Sequence, residues 1–435
     1  MTSSIAMPLH ATATQPLECW FLTSEFEGQR AGSFRQERWS KVFSGLNCPV
    51  RVFNVQGANR LLEKTFGMPE EIEAFRESVM NVSVSKASVR EGMAITVIRF
   101  IKHTFLIDLY LPNVIALYRR CARLLRETQG NVVIMASSPP FSMAVVGAML
   151  KRRFPEKVTL SVDMRDAWAL HDSLGGNRNI KRAIEGAVLR RADAVTTVSY
   201  GLAEEFESNY SIKVGTLFNV ATHYFEPTTP RSVDWRALNP DIDPDRIKVV
   251  YTGSTPIGFY DLQSLTQGIR QLRERNPAAA DRLQVIFVGA CAPVQAAWEM
   301  LGGGMDVIFV PHVNHHTARA IQQNADVLMF LAYFAPGNKG VVSTKIFEYM
   351  ALGKPIYPVS LHHGSDVDRL LETYCGRSCC LHTADEMTAA FERVVEQGAL
   401  ETLPHMDDPK RVRPLLDGYR DLARTLLTQA QSGAK

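Results

Sequence analysis

The strongest constraint on the fold of this chain is a doubled pattern. Two runs of short β-rich segments alternate with helical stretches and are separated by a proline-rich break. In the first run, residues 19–22, 49–55, 131–136, 158–163, 194–199 and 213–218 read as strands, and helical stretches follow at 33–46, before Arg153 and after Gly201. In the second run the strands fall at 247–253, 283–289, 305–311, 325–331 and 354–360. Between the runs, residues 226–245 hold Pro227, Pro230, Pro240 and Pro244 and show no periodicity, which marks a linker. Strands alternating with helices build parallel sheets covered on both faces. A chain of 435 residues is also too long for one ordinary core. The expected architecture is therefore α/β, with two Rossmann-like, doubly wound parallel-sheet domains facing a central cleft. Residues 1–16 are expected to be a lead without order, 17–222 the first domain, 223–245 the linker and 246–408 the second domain. Residues 409–435, with leucines near helical spacing, are expected to form a helix packing back on the first domain. Ligands of such sheets bind beyond the carboxyl ends of the strands, so the loops after each strand carry the information.

Composition excludes several classes. A hydrophobic share of 46% and a charged share of 21% are ordinary for a soluble globular protein, and a net charge of +3 does not mark a nucleic-acid binder. The seven cysteines are odd in number and irregularly spaced, which argues for reduced thiols and a cytoplasmic setting. Cys375, Cys379 and Cys380 cluster, but no pair has the spacing of a zinc knuckle. The first residues lack the charged and apolar regions of a secretory signal. Residues 104–118 are largely apolar, with Asp108 as their one charge, but too short to span a bilayer. Arg99, Lys102, Arg119, Arg120, Arg123 and Arg126 flank them. Two readings stay open for residues 95–126: a segment lying on an anionic membrane surface, or a buried helix pair with solvated basic ends.

The most specific motif is STKIFEYMALGKPI, residues 343–356. Ser343 is expected as the N-cap, Ile346, Phe347, Met350 and Ala351 as the buried face, and Gly353 with Pro355 as the stop. The free N–H groups at such a helix start suit a diphosphate. Ser343, Thr344 and the Lys345 charge would line that site, and Glu348 would accept from ribose hydroxyls. A capped helix with a Lys345–Glu348 surface pair is the alternative. Gly253, Ser254 and Thr255 follow the first strand of the second run, where glycine allows close backbone approach to a phosphate. Asp163 ends the strand at 158–163, and Arg165, Asp166 and Trp168 follow it, either as site residues or as an internal Asp–Arg pair. His312, His315 and His316 follow the strand at 305–311 without a carboxylate or thiol set at ligand spacing, so they read as loop histidines near a nucleotide base.

In order along the chain, ASSPPFS (136–142), SVDMRDAW (161–168), RADAVTTVSYGLAEEF (191–206), VVYTGS (249–254) and STKIFEYMALGKPI resemble the family-4 glycosyltransferases, in particular the branch that builds bacterial surface polysaccharides. The likeness spans about residues 17–400. It implies the GT-B fold and a retaining, metal-independent transfer of a sugar from a nucleotide-diphosphate sugar to a lipid-linked or polysaccharide acceptor, with no cofactor. The second domain would hold the donor through Gly253, Ser254, Thr255, His312, Ser343, Thr344, Lys345 and Glu348. Asp163, Arg165 and Asp166 would face the reaction, since Arg165 lies where many members place a histidine toward the reacting sugar. Gly28, Gly32 and Ser138 would lie on the acceptor side. Domain closure would exclude water, and the leaving phosphate would take the acceptor's proton. The protein would be cytoplasmic, contacting the inner membrane face through residues 95–126.

The chain also departs from the family pattern. Glu348 matches the second glutamate of the paired-glutamate motif, but Gly340 stands where the first, sugar-facing one is expected. Ser254 replaces an arginine, and no lysine occurs in the following Pro256–Tyr260 stretch. Lys345, with Lys339, is expected to supply the missing charge. These departures keep two other readings alive: a non-catalytic GT-B scaffold or binding protein, and a nucleotide-sugar epimerase.

Overall fold

The computed structural model describes residues 17–23, 31–54, 111–170, 177–220, 232–256, 258–304, 306–332, 340, 342–375, 381–397 and 409–432. The chain divides into two compact units. The first comprises Met1–Val198, Ala203–Leu217 and Gly418–Lys435, and the second Ser199–Leu202 and Phe218–Asp417.

The first unit is built from β1 (Leu17–Thr23), α1 (Ala31–Gly45), β2 (Val50–Asn54), α2 (Leu111–Glu127), β3 (Asn131–Ser138), α3 (Phe141–Arg153), β4 (Val158–Met164), α4 (Arg178–Leu189), β5 (Ala194–Thr197), α5 (Tyr200–Tyr210) from Ala203 onward and the two-residue β6 (Gly215–Thr216). Its six strands run in the order β2-β1-β3-β4-β5-β6, every pair parallel. The order reverses between β1 and β3, so the crevice such a sheet offers a ligand opens after Thr23 and Ser138. β3 and β4 are buried along their whole lengths, as strands covered on both faces must be.

The second unit contains α6 (Trp235–Leu238), β7 (Ile247–Thr252), α7 (Leu262–Arg275), α8 (Pro277–Asp281), β8 (Leu283–Val288), α9 (Ala292–Met300), β9 (Val307–Val310), α10 (His315–Asn324), β10 (Val327–Leu331), α11 (Lys345–Ala351), β11 (Ile356–Val359), α12 (Asp366–Leu370) with a π turn at Leu371–Cys375, and α13 (Ala384–Gln397). The strand order is β11-β10-β7-β8-β9, again all parallel. Here the reversal lies between β7 and β10, so the loops after Thr252 and Leu331 flank the crevice.

The last helix, α14 (Pro409–Ser432), presents Tyr419, Ala423, Leu426 and Ala430 on one stripe. In the first unit that stripe packs with Trp39 and Phe43 of α1 over Cys19 and Phe21 of β1 and Val133 and Met135 of β3. The Asn131 side-chain amide donates to the Ala430 carbonyl and fixes the stripe's far end. Each of these side chains is nearly or wholly removed from water, at roughly 1.5–3 kcal/mol for a large apolar one.

Two sequence expectations are corrected. Of the apolar stretch at 104–118, the described part from Leu111 lies in a helix that continues to Glu127, with Pro112 in its first turn, where a missing N–H costs nothing. Residues 104–110 lie outside those described. The N-cap of α11 is Thr344 rather than Ser343, and its side chain makes no capping bond. The helix entrance is tightened instead: the N–H groups of Ile346 and Phe347 return to the Ser343 and Thr344 carbonyls three residues back. The strand expected at 213–218 contracts to Gly215–Thr216. Gly353 holds φ +62° after the Leu352 cap, the left-handed conformation that ends α11.

Candidate functional site

Two glycines after adjacent strands of the second unit frame its candidate site. Gly253 ends β7 with φ +145°, and Gly289 ends β8 with φ +124°. A Cβ on Gly289 would stand 2.2 Å from the Gly253 carbonyl oxygen, so the two turns pack backbone to backbone. Gly253 N–H donates to the Val288 carbonyl at 2.8 Å, and Thr255 N–H to the Ala290 carbonyl at 3.0 Å, which carries the ladder past the strand ends. Thr255 is fully buried. The Cys291 thiol points at the Gly253 carbonyl, 3.4 Å away. Burial pushes that thiol up to about 11, while a hydrogen bond with Thr255 and the nearby Lys345 charge pull the other way. The Tyr251 hydroxyl donates to the Ser254 carbonyl at 2.8 Å, and burial pushes its pKa far above the ordinary phenol value.

Lys345 meets this pair of turns. A Cβ on Gly253 would lie 2.4 Å from the Lys345 Cε and 2.8 Å from its Nζ, so the lysine stem crosses the face of the glycine. Lys345 is the first residue of α11, which follows β10, and Gly253 follows β7. The ammonium therefore sits at the topological reversal of the sheet. Ser343 and Thr344 enter the same helix.

Glu348 is placed one turn further on and is held by side chains of α10. Gln322 Nε2 donates to Glu348 Oε2 at 3.2 Å and to Thr252 Oγ1 at 2.8 Å, and Arg319 Nη1 donates to the Glu348 carbonyl at 3.2 Å. The buried Tyr349 hydroxyl accepts from Thr252 N–H at 3.3 Å. Lys345 and Glu348 thus turn to different partners: one crosses Gly253 and the other faces Gln322. His312 is exposed beyond β9, two strands from β7, or about 10 Å by strand spacing. Nearby, His316 lines an open cavity of about 420 Å³ with Asp234, Leu238, Asn314 and Thr317.

In the first unit, Ser138, Asp163 and Arg165 come together. Arg165 N–H donates to the Ser138 carbonyl at 2.8 Å, and Arg165 Nη2 to the Pro139 carbonyl at 2.7 Å. Asp166 is exposed beside them. Asp163 has a different place from the one expected of a reacting acid, being 1% exposed and fully engaged. Arg35 grips it with Nε to Oδ2 at 2.7 Å and Nη2 to Oδ1 at 2.6 Å, and Thr196 Oγ1 donates to Oδ1 at 2.7 Å. Burial alone would raise the Asp163 pKa, but the Arg35 charge and these hydrogen bonds outweigh it and hold the carboxyl below its usual range. Arg35 also donates to the Leu217 carbonyl and to the Tyr419 hydroxyl, which ties β4, α1 and α14 into one buried network. Gly32 lies in the first turn of α1, one turn before Arg35. Gly28 and Lys339 lie outside the described residues.

Sequence reasoning missed Arg35, Gly289, Gln322 and Arg319. Gly289 had a signal, since it ends LQVIFVG just as Gly253 ends IKVVYTG. Arg35 had none, because its partner stands 128 residues away.

Gly340 is tightly packed. A Cβ there would lie 3.0 Å from Leu202 N and 3.2 Å from Ser199 Oγ, and Gly201 faces it in turn. Gly201 N–H donates to both oxygens of the buried Asp366, at 2.9 and 3.1 Å. Among the described residues, no group of three or more His, Cys, Asp or Glu is placed to hold a metal ion, and no helix is long and apolar enough to cross a membrane. The side chain of Cys375, and Cys379 and Cys380 entirely, lie outside the described residues.

No family model and no curated protein matches the sequence. Solved structures do match in fold. The α,α-trehalose-6-phosphate synthase of Burkholderia multivorans is 10% identical with a TM-score of 0.56, covering 97% of this chain and 100% of that one. An apo structure of OtsA is 8% identical with a TM-score of 0.53, covering 96% and 99%. A trehalose-6-phosphate structure from E. coli bound with UDP-2-fluoro glucose is 9% identical with a TM-score of 0.51, covering 95% and 97%. With its two parallel α/β units and this likeness over nearly the whole length of these proteins, the chain has the GT-B fold.

Proposed function

We propose that this protein is a glycosyltransferase that moves a sugar from a nucleotide-diphosphate donor to a lipid-linked or polysaccharide acceptor in cell-surface glycan synthesis. The observation that carries the reading is the Lys345 ammonium laid over the Gly253 turn, at the reversal of the second sheet. A bare glycine turn, a second glycine stacked on it and a cation at one place suit a diphosphate. That one of the fold's solved structures was bound with UDP-2-fluoro glucose supports the choice of donor class.

In this reading the diphosphate rests on Gly253, Ser254 and Thr255 and on the start of α11 at Ser343 and Thr344. Lys345 takes the place of the two basic residues that the sequence lacks after Gly253. Glu348, oriented by Gln322, accepts from the ribose hydroxyls, and His312 stands toward the base. The bond between the sugar C1 and the phosphate oxygen breaks, and Lys345 with the backbone N–H groups stabilises the charge left on the diphosphate. The acceptor oxygen bonds to C1 on the same face, and its proton passes to the departing phosphate oxygen. The configuration is retained, and Lys345 supplies the neutralising charge without a metal. Arg165 and Asp166 face the reacting sugar, and Ser138, with the glycine-bearing segment of Gly28 and Gly32, faces the acceptor. Asp163 acts through Arg35 as a positioning residue at the root of the Arg165 turn.

The acceptor side extends to α2. Its outer face carries Ile115, 58% exposed, with the exposed Arg119, Arg120, Arg123 and Arg126, while Val114, Leu117, Cys121 and Leu125 are buried. An apolar residue among arginines suits an anionic cytoplasmic membrane surface carrying the acceptor. A second reading, a binding protein without turnover, is favoured by one observation: Gly340 is closed in where the family's sugar-facing glutamate is expected.

The test is a thermal-shift and calorimetric screen of UDP, GDP, dTDP and their glucose and mannose sugars, followed by a turnover assay with the binder. Binding with release of nucleoside diphosphate supports transfer. Binding without release supports the second reading, and no binding of any of them ends both.

A further inference from the structure

We infer that Glu185 is a positioning residue that clamps the turn after β4 and so holds Arg165 and Asp166 in place. The inference rests on the reading of that turn as part of the reacting site. Glu185 lies in α4 and is wholly buried. Its Oε1 accepts two successive backbone N–H groups, Trp168 at 3.0 Å and Ala169 at 3.2 Å, and its Oε2 accepts the Tyr210 hydroxyl of α5. A buried charge is costly unless its oxygens are satisfied, and here each is. Burial pushes the Glu185 carboxyl up, and the bonds from Tyr210, Ala169 and Trp168 pull it partly back.

Neighbouring residues are shaped around this bond set. Gly186 has no side chain because a Cβ there would lie 2.8 Å from the Tyr210 ring, so the ring passes over α4 and brings its hydroxyl to Glu185. The Trp168 ring stacks on Phe141, with centroids 4.4 Å apart and planes 6° off parallel, and Lys181 Nζ lies 5.6 Å from the Trp168 ring. Phe141 opens α3 directly after the Ser138–Pro140 segment that Arg165 bonds. The turn from Arg165 to Leu170 is therefore pinned at both ends by a buried carboxylate. Asp163 fixes its root through Arg35, and Glu185 fixes its far end through two backbone N–H groups. Between them stand Arg165, tied to Ser138 and Pro139, and the exposed Asp166. A carboxylate accepting from main chain orders a turn whatever side chains it carries, so this role does not depend on the substrate.

The experiment uses the full chain labelled with 5-fluorotryptophan, with the Trp168 resonance identified by its loss in Trp168→Phe. In Glu185→Ala the Trp168 resonance should shift and broaden while those of Trp235 and Trp298, in the second unit, hold. Glu185→Gln keeps an acceptor for the two N–H groups and should keep the parent resonance. With UDP-glucose, GDP-mannose or dTDP-glucose, whichever the parent chain hydrolyses, kcat should fall by about tenfold or more in Glu185→Ala with KM within about threefold. Glu185→Gln should restore most of that loss. If Glu185→Ala does not fold, Glu185→Asp, which draws the carboxylate back by one methylene, is read in the same way. A parent-like Trp168 resonance in the Ala or Asp variant overturns the inference, as does a displaced resonance with kcat unchanged. If the parent chain turns over none of the three sugars, the transfer reading fails, and the resonance alone still decides whether Glu185 holds the turn.

Discussion

Lys345 and Gly253 are mutually dependent: the lysine stem occupies the space that any side chain at residue 253 would need. Their coupling gives the first prediction. Lys345→Ala should weaken binding of the nucleoside diphosphate found in the screen by about 1–3 kcal/mol, or about 5- to 150-fold, the range of a lost charge-assisted contact. Gly253→Ala should weaken it comparably by displacing the same ammonium. The double variant should then bind no worse than the poorer single one, since both remove one interaction. Calorimetry on the four proteins checks this, and additive losses would separate the two residues.

Gly289 tests the geometry without touching a charge. A methyl there would stand 2.2 Å from the Gly253 carbonyl, at a φ of +124° that L residues rarely adopt. Gly289→Ala should therefore cost stability by about 1–3 kcal/mol through backbone strain. It should also lower nucleotide affinity by forcing the Gly253 turn outward. A loss of melting temperature with unchanged affinity would show that the Gly253 turn is not part of the binding surface.

How far the sequence could reach is visible in these residues. Each of the eleven strands among the described residues falls on a segment that β-rich composition marked, with β1, β3 and β4 overrunning theirs by one to three residues, because strands buried in parallel sheets must be continuous apolar runs. Gly253 and Lys345 were each legible in a motif, but their contact was not. It arises because β7 and β10 are neighbours in the sheet, and strand order is a tertiary property. The same limit hid Gln322, which reaches Glu348 and Thr252 from a helix with no distinctive spacing. Asp163 shows the opposite failure. An acid after a buried strand looks like a site residue, and only the arrival of Arg35 from another helix shows where its charge is spent.

The Arg35–Asp163 pair predicts an asymmetric response to mutation. Arg35→Met leaves a buried carboxylate without its cation and should cost about 3–5 kcal/mol, as breaking a buried pair does. Arg35→Met with Asp163→Leu should recover much of that loss, because the uncompensated charge is gone. Urea unfolding followed by tryptophan fluorescence measures both. An equal loss in the single and double variants would mean that Arg35 acts through Leu217 and Tyr419 rather than through the carboxylate.

The proposed metal independence has a direct check. If Lys345 neutralises the leaving diphosphate, millimolar EDTA should leave the transfer rate unchanged in the parent chain. Added Mg²⁺ should rescue Lys345→Ala only in part, since a hydrated ion cannot reproduce a fixed ammonium over Gly253. Loss of parent activity in EDTA would assign the charge to a metal.

Acid should weaken the second unit through His382. Burial, then the neighbouring His362 and His363, lower the His382 pKa, and Glu386 and Asp368 oppose them only in part. The rings of His362 and His363 lie 5.6 and 6.2 Å from that of His382, from the loop after β11, while Asp368 faces it from α12 and Glu386 from α13. With the folded pKa below the unfolded one, the unfolded chain binds more protons in the window below the ordinary imidazole value of about 6.5. Stability is then lost as pH falls through that window and levels off once the folded imidazole is also protonated. Glu386 acts lower: hydrogen bonds from the His382 and Thr383 N–H groups hold its pKa down, so its contribution persists until the ordinary carboxylate range is passed. His382→Asn should therefore flatten the fall in melting temperature between pH 7 and about pH 5 and leave the steeper fall below about pH 4.3 in place. Melting curves of the parent and variant across that range decide it, and parallel curves throughout would remove His382 as the acid-sensitive group.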